Sequence, residues 1–149
     1  MAAIVVEVAD AVVEQLRNLV ESQGGTIQRI WDVHRRLQDN DILQVDVVPT
    51  ENDRNRADRS TWWEDVLVEV GIRRRVSRSQ SGDTVDRKTM DGLVATAEQI
   101  AQTLQDNPVL LDGRASCLSV KIVPVYSPDD LDELRQFTSV VQATYRTRR

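Results

Sequence analysis

The feature that most constrains the fold of this chain is a regular alternation of apolar and polar residues between Trp62 and Val76. The apolar side chains at alternate positions are Val66, Val68, Val70 and Ile72. The intervening positions hold Asp65, Leu67, Glu69 and Gly71. Because successive side chains of an extended chain point to opposite faces, this pattern predicts a β-strand with one face in the core and one face open.

The first half of the chain predicts a helix followed by two strands. Apolar residues recur at helical spacing from Val8 to Leu19, and Gly24-Gly25 ends the helix. The preceding Ile4–Val6 run suits either a short strand or an extended lead-in. Strands are predicted at Ile27–Arg36 and Ile42–Val48, the second closed by Pro49. Thr50–Ser60 has no large apolar side chain, so we predict a mobile, solvated loop.

The second half predicts a long helix and two further strands. Ser77–Asp83 is a second polar loop, and the helix spans Thr84 to Asp106, where Asn107-Pro108 stops it. A strand follows at Ser116–Val125. Ser127 can cap a short helix at Pro128–Arg135, and Phe137–Tyr145 predicts a final strand. Arg146, Arg148 and Arg149 would extend past the core, so deleting the last four residues should leave the monomer folded and weaken its association.

This order of elements predicts an α+β fold in a single domain covering residues 1–149. We expect a mixed, mainly antiparallel sheet of about five strands, with two main helices packed on one face. The first three strands would form a meander. Leu43, Leu67 and Val123 would lie on the opposite face beside Asp65 and Glu69, and a half-apolar, half-charged face of this kind suits a subunit contact.

No residue pattern in the chain indicates catalysis or metal binding. His34 is the only histidine and Cys117 the only cysteine, so neither has the partners that a metal site needs. The acidic residues at Asp129–Glu133 lack the spacing of a calcium loop. We therefore predict no enzyme activity, no cofactor and no metal. With no apolar run of about 18 residues, no membrane span is expected.

Arginines and tryptophans provide the candidate interaction surface. Arginines cluster at three places, whereas acids concentrate elsewhere, and such segregated charge favours head-to-tail contact between copies. A merely solvated surface is the alternative. Adjacent tryptophans on a strand point to opposite faces, so one ring would enter the core and the other face outward. The candidate interface residues are Trp62, Trp63, Arg54, Arg56, Arg59, Arg73, Arg74, Arg75, Arg78, Arg146, Arg148 and Arg149.

Three segments resemble the small neck proteins encoded in tailed-phage structural gene clusters. They are Leu43–Pro49, Trp63–Arg75 and Leu131–Ser139, taken together with the terminal strand. The order of elements is similar to that of tail-terminator or tail-completion proteins of long-tailed phages, over nearly the whole chain. None of these motifs assigns a chemical role to a residue.

The resemblance implies a structural virion protein, assembled in the bacterial host cytoplasm. Its expected form is a homo-oligomeric ring, usually a hexamer, at the head-proximal end of the tail. Its partners would be the tail tube protein, the connector or adaptor protein, and a sheath protein if the tail is contractile. Genome DNA would pass through the lumen without specific binding, and the net charge of −5 suits that passage. The alternatives are a head-tail adaptor or stopper of the same neck, and a cytosolic binding domain or small enzyme.

Overall fold

The computed structural model describes residues 3–31, 42–76, 87–128 and 136–148. Within these ranges lie two helices, six strands and a 3-10 turn at Leu111–Gly113. In chain order the elements are α1 (Ile4–Ser22), β1 (Thr26–Arg29), β2 (Gln44–Arg56), β3 (Trp62–Arg75), α2 (Arg87–Asp106), β4 (Val109–Leu110), β5 (Ala115–Ile122) and β6 (Gln136–Arg148).

The six strands form one mixed sheet in the order β1-β2-β3-β6-β5-β4. Only β1 and β2 run parallel, and the other four neighbouring pairs are antiparallel. The predicted α+β class and mainly antiparallel sheet are confirmed, with six strands where about five were expected. The predicted three-strand meander is wrong for its first pair, because β1 and β2 run parallel and a meander needs antiparallel neighbours. The second pair, β2 and β3, is antiparallel as expected.

Both helices cover the face of the sheet that carries Val66, Val68, Val70 and Ile72, which we call the helix face. The buried residues of α1 and α2 join those of β2, β3 and β6 in a single hydrophobic cluster. The alternation predicted for β3 is confirmed, because the buried positions along this strand are every second residue from Glu64 to Ile72. We call the opposite side the far face. It carries Asp65, Leu67 and Glu69.

The link between α1 and β1 needs both of its glycines. α1 is helical from Ile4, which settles the choice left open for the Ile4–Val6 run. Gly24 has a φ of +73°, a conformation that favours glycine. At Gly25 an added Cβ would lie 2.8 Å from the carbonyl oxygen of Leu43. Leu43 is buried in the core, so its predicted place on the far face is wrong.

The Thr50–Ser60 segment is not the loop that its composition predicted. β2 continues through it to Arg56 and pairs with β3 from Glu51↔Leu67 to Arg56↔Trp62, after an irregularity between Pro49 and Glu51. The side chains of residues 50–60 are all exposed, so both faces of this part of β2 are solvated. The strand is therefore held by backbone pairing, which leaves no apolar pattern in its sequence.

The remaining predicted elements agree in kind and differ in length. The strand predicted at Ile27–Arg36 is seen as β1, and its residues 32–36 lie outside the described ranges. So do the polar loop at 77–83, the first three residues of the long helix, and nearly all of the predicted helix at Pro128–Arg135. β6 runs three residues beyond Tyr145 to Arg148, and it pairs with β3 on one side and β5 on the other.

Candidate assembly surface

The β2–β3 hairpin, which we call the arm (Glu51–Leu67), ends in a well-defined tip. Asp58 Oδ1 accepts hydrogen bonds from the backbone N–H groups of Ser60 and Thr61, each at 2.8 Å. These two donors hold the pKa of Asp58 below its usual value. The Ala57 N–H donates to the carbonyl oxygen of Thr61 at 2.9 Å. The tip thus has one hydrogen-bonded conformation rather than the mobile one that the sequence suggested.

Arg56 fastens the tip from the last position of β2. Its Nε donates to the carbonyl oxygen of Asp58 and its Nη2 to that of Arg59, both at 2.9 Å. The same guanidinium lies 5.8 Å from the centre of the Trp62 ring, within the range of a cation–π contact. Two of the predicted interface residues, Arg56 and Trp62, are therefore in contact at the tip. The Trp62 side chain remains 46% exposed.

One step toward the core, Arg54 contacts an acid that the sequence analysis did not single out. Arg54 Nε lies 3.5 Å from Glu64 Oε1, across the two strands of the arm. The Glu64 side chain is only 2% exposed, whereas the Arg54 side chain is 60% exposed. The arginine therefore neutralises a buried carboxylate at the base of the arm and keeps part of its own surface open.

The far face carries a second arginine–aromatic contact beside the arm. Arg146 of β6 donates two hydrogen bonds to its cross-strand partner Asp65, at 2.9 and 3.0 Å. Its guanidinium also lies 4.2 Å from the centre of the Trp63 ring. Donating these hydrogen bonds to the Asp65 carboxylate raises the pKa of Arg146. Arg146 does not extend past the core as predicted, because β6 continues as a paired strand through this position.

The two tryptophans do not divide between core and surface. Trp62 is exposed at the tip and Trp63 is partly buried under Arg146, and neither belongs to the hydrophobic cluster. The expectation that one ring enters the core is wrong, because positions 62 and 63 lie on the arm, beyond the helices. Both rings contact an arginine, but on opposite sides of the arm, because Trp62 shares a face with Glu64 and Trp63 shares the far face with Asp65.

The arginines at the end of β3 are separate from this surface. Arg73 forms an ion pair with Asp46 of β2, and their side chains are 1% and 0% exposed. This burial removes Arg73 from the predicted interface. Arg74 and Arg75 are partly buried. Arg59 is exposed at the arm tip. Arg78 and Arg149 lie outside the described ranges, and for Arg148 only the strand position is described.

Asp58 and Glu64, two acids that organise the surface, were not predicted from the sequence, and Asp65 was expected on the open face without its partner Arg146. A signal existed for Asp58, because an aspartate two residues before a serine is typical of an Asx turn. Glu64 and Asp65 lie in the alternating pattern of β3, where nothing distinguishes an ion-paired acid from a solvated one. Their partners are fixed by strand register, which local sequence does not specify.

The described ranges contain no group of three or more histidine, cysteine, aspartate and glutamate residues that could hold a metal ion. Neither of their helices is long and apolar enough to cross a membrane. No protein-family model matches the chain, and no curated protein matches it at a significant level.

Proposed function

We propose that this chain is a structural subunit of a phage neck, forming a ring at the head-proximal end of the tail. In this role it terminates the tail tube and joins it to the connector. The proposal rests on the resemblance of its sequence to tail-terminator proteins and on one structural observation, the ordered arm. The head-tail adaptor of the same neck is the alternative within this class.

The outer part of the arm, up to residue 60, supports an assembly role because the monomer gains little from it. The side chains of residues 50–60 are exposed, so this part of the hairpin buries almost no apolar surface on folding. Ordering each of its residues nevertheless costs about 1–2 kcal/mol of backbone entropy. The hydrogen bonds made by Asp58 and Arg56 fix the tip before any partner is present. A preorganised projection of this kind reduces the entropy that docking would otherwise cost.

The composition of the arm suits a contact that forms from soluble subunits. Its surface combines arginines with two tryptophan rings, and aromatic residues and arginine are enriched in protein interfaces. Acids in the arm pair with two of these arginines, Arg54 and Arg146, which limits nonspecific attraction to nucleic acid. The net charge of −5 acts in the same direction, since DNA moving through a ring must not adhere to it.

The test is assembly of the purified chain, alone and with tail tubes polymerised from tube protein. Light scattering should show a ring-sized oligomer, and electron microscopy should show that it caps one end of each tube. The double variant Arg56→Ala/Trp62→Ala should reduce capping at least tenfold. Glu98→Ala, on the exposed side of α2, is the matched control and should cap as the wild type does.

Each outcome bears on the proposal. A chain that stays monomeric at high concentration and ignores tail tubes would contradict it. Rings that bind portal complexes and not tubes would replace the terminator assignment with the adaptor. Equal capping by the arm variant and the control would remove the arm as its structural support.

A further inference from the structure

Within the described ranges, the outer edge of β2 has no strand paired to it along the arm. β1 pairs with β2 only from Gln44 to Val47, and the last contact is from the Ile30 N–H to the Val47 carbonyl oxygen, at 3.0 Å. Beyond that point, none of the described residues pairs with the outer side of β2. The exposed side chains of residues 50–56 agree with an uncovered edge.

The hydrogen bonds of the tip show which backbone groups point outward from this edge. In an antiparallel pair, successive residues turn their N–H and C=O groups alternately toward and away from the partner strand. The Ala57 N–H is bonded to the Thr61 carbonyl oxygen, so the backbone groups of Ala57 point toward β3. By the same alternation, the backbone groups of Asn55 and Asp53 also point toward β3. Asn52, Arg54 and Arg56 therefore direct their backbone groups away from the sheet.

A second edge that the described strands leave mostly unpaired lies on β5, on the other side of β3 and β6. β4 covers only Ala115 and Ser116, and the Cys117 N–H donates to the Pro108 carbonyl oxygen at 2.7 Å. The Val140 N–H donates to the Pro124 carbonyl oxygen, so the backbone groups of Val140 point toward β5. Two residues later, the backbone groups of Gln142 and of its partner Lys121 therefore point toward each other. By the same alternation, Val120 and Ile122 turn their backbone groups outward.

The β5 edge combines exposed apolar side chains with the polar Ser119 and Lys121. Four large hydrophobic side chains along it and just after it are about half exposed: Leu118, Val123, Val125 and Tyr126. A long apolar edge with unpaired backbone groups is a site for strand addition, and proteins normally protect such edges. β5 has a register irregularity between Cys117 and Ser119 and the exposed Lys121, and beyond the two residues of β4 no described strand pairs with its outer side.

We propose that the β2 edge of one copy, at Asn52–Arg56, pairs with the β5 edge of the next copy, at Val120–Ile122. This inference rests on the proposed ring and names the contact that builds it. The partner is a second copy of the chain because the two edges are complementary parts of one sheet. A head-to-tail contact uses both edges of every copy, and a closed ring leaves none unpaired.

Strand direction supports this pairing. Along the sheet, β2, β3, β6 and β5 alternate in direction, so β5 runs antiparallel to β2. Adding the β2 edge of a neighbour next to β5 continues the alternation, which gives an antiparallel contact. β1 covers the start of the β2 edge, and β4 covers the start of the β5 edge, which lies at the other end of the sheet. The uncovered parts of the two edges are therefore at different heights, so neighbouring copies must be offset along the strands, as strands are in closed sheets.

Charge also supports it. Strand register shows which face carries each charge. Lys121 lies opposite Gln142 in the β5–β6 pair, and Asp53 lies opposite Asp65 in the β2–β3 pair. Asp65 in turn lies opposite Arg146 of β6. Both Lys121 and Asp53 are exposed and lie on the far face. In a continuous sheet the far faces of adjacent copies join, so this lysine meets the acidic side of the neighbouring arm.

Amide hydrogen exchange provides the direct test. In dilute monomer the outward amides of Asn52, Arg54, Val120 and Ile122 should exchange quickly. In assembled protein their exchange should slow at least tenfold. Unchanged exchange at all four amides in a confirmed oligomer would overturn the inference.

Two substitutions at one position separate the backbone from the side chain. Asn52→Pro removes an outward N–H without removing a ladder bond to β3, and should raise the dissociation constant between copies at least tenfold. Asn52→Ala keeps the N–H and should change the constant less than threefold. Equal effects of the two substitutions would contradict backbone pairing. If Asn52→Pro does not fold, the amide exchange of the wild-type protein decides whether the edges pair.

The failure of this inference can be distinguished from failure of the proposed function. Rings that cap tail tubes while the edge amides stay unprotected would refute the edge contact and leave the function standing. Oligomers with protected edges that ignore both tubes and portals would support the contact and refute the function. A chain that is monomeric at millimolar concentration would refute the contact.

Discussion

The buried ion pair between Asp46 and Arg73 should be a major determinant of stability, and its size can be estimated from the structure. The two side chains are 0% and 1% exposed, so water does not screen either charge. Gln28 and Gln44 also donate side-chain hydrogen bonds to Asp46 Oδ1, at 3.3 and 3.4 Å. Removing one charge breaks this buried ion pair, which typically costs about 3–5 kcal/mol.

Asp46→Asn is the sharpest single change because it keeps the shape of the side chain. We expect the free energy of unfolding to fall by about 3–5 kcal/mol, out of a total of about 5–15 kcal/mol for a typical domain. Arg73→Met should have a similar effect. The double variant removes both charges, so it should lose markedly less than the sum of the two single losses.

The assay is urea unfolding followed by tryptophan fluorescence and circular dichroism. Asp65 and Arg146 form a matched control pair, because they have the same chemistry on a partly exposed part of the same sheet. Asp65→Asn should cost no more than about 1 kcal/mol. If Asp46→Asn costs as little as Asp65→Asn, or if the double variant shows no coupling, the argument from burial is refuted.

Three further predictions concern the backbone, the core and the end of the chain. Gly25→Ala should destabilise the fold by about 1–3 kcal/mol because its Cβ would overlap the Leu43 carbonyl oxygen. Gly92→Ala, in open space on α2, should stabilise it by about 0.5–1 kcal/mol, and equal urea midpoints for the two variants would contradict this. Burial raises the pKa of Tyr145, so the folded state holds this proton more tightly than the unfolded state, and stability should fall as pH rises above about 10. Tyr145→Phe should reduce that loss, and an unchanged alkaline transition would count against it. Deleting residues 146–149 should destabilise the monomer, contrary to the prediction from sequence, because β6 is paired through this segment, and an unchanged melting temperature would restore that earlier view.

The elements predicted well from sequence are those whose faces differ in polarity. β3 and α2 each place apolar residues on one side, so their type and core positions followed directly from spacing. The outer half of β2 could not be found in this way because both of its faces are solvated. β4 was missed because two residues carry no period at all.

The candidate surface was predicted in composition but not in arrangement. Arg56, Trp62, Trp63 and Arg146 were named from sequence, and the structure brings them into two arginine–aromatic contacts. Arg73 was assigned to the same surface and is buried. Its partner Asp46 is 27 positions away in the sequence, and only the β2–β3 register brings the two together.

The position of β6 has a consequence for folding during synthesis. β6 lies between β3 and β5, yet the ribosome makes it after both of them. Until it is made, β3 lacks one neighbour, β5 has only the two residues of β4, and the buried sides of both strands are incompletely covered. Its pairing with β3 closes a loop of more than 60 residues, and such nonlocal contacts form slowly. The nascent chain therefore passes through a stage with exposed sheet edges, and at this stage binding by a chaperone would be of most use.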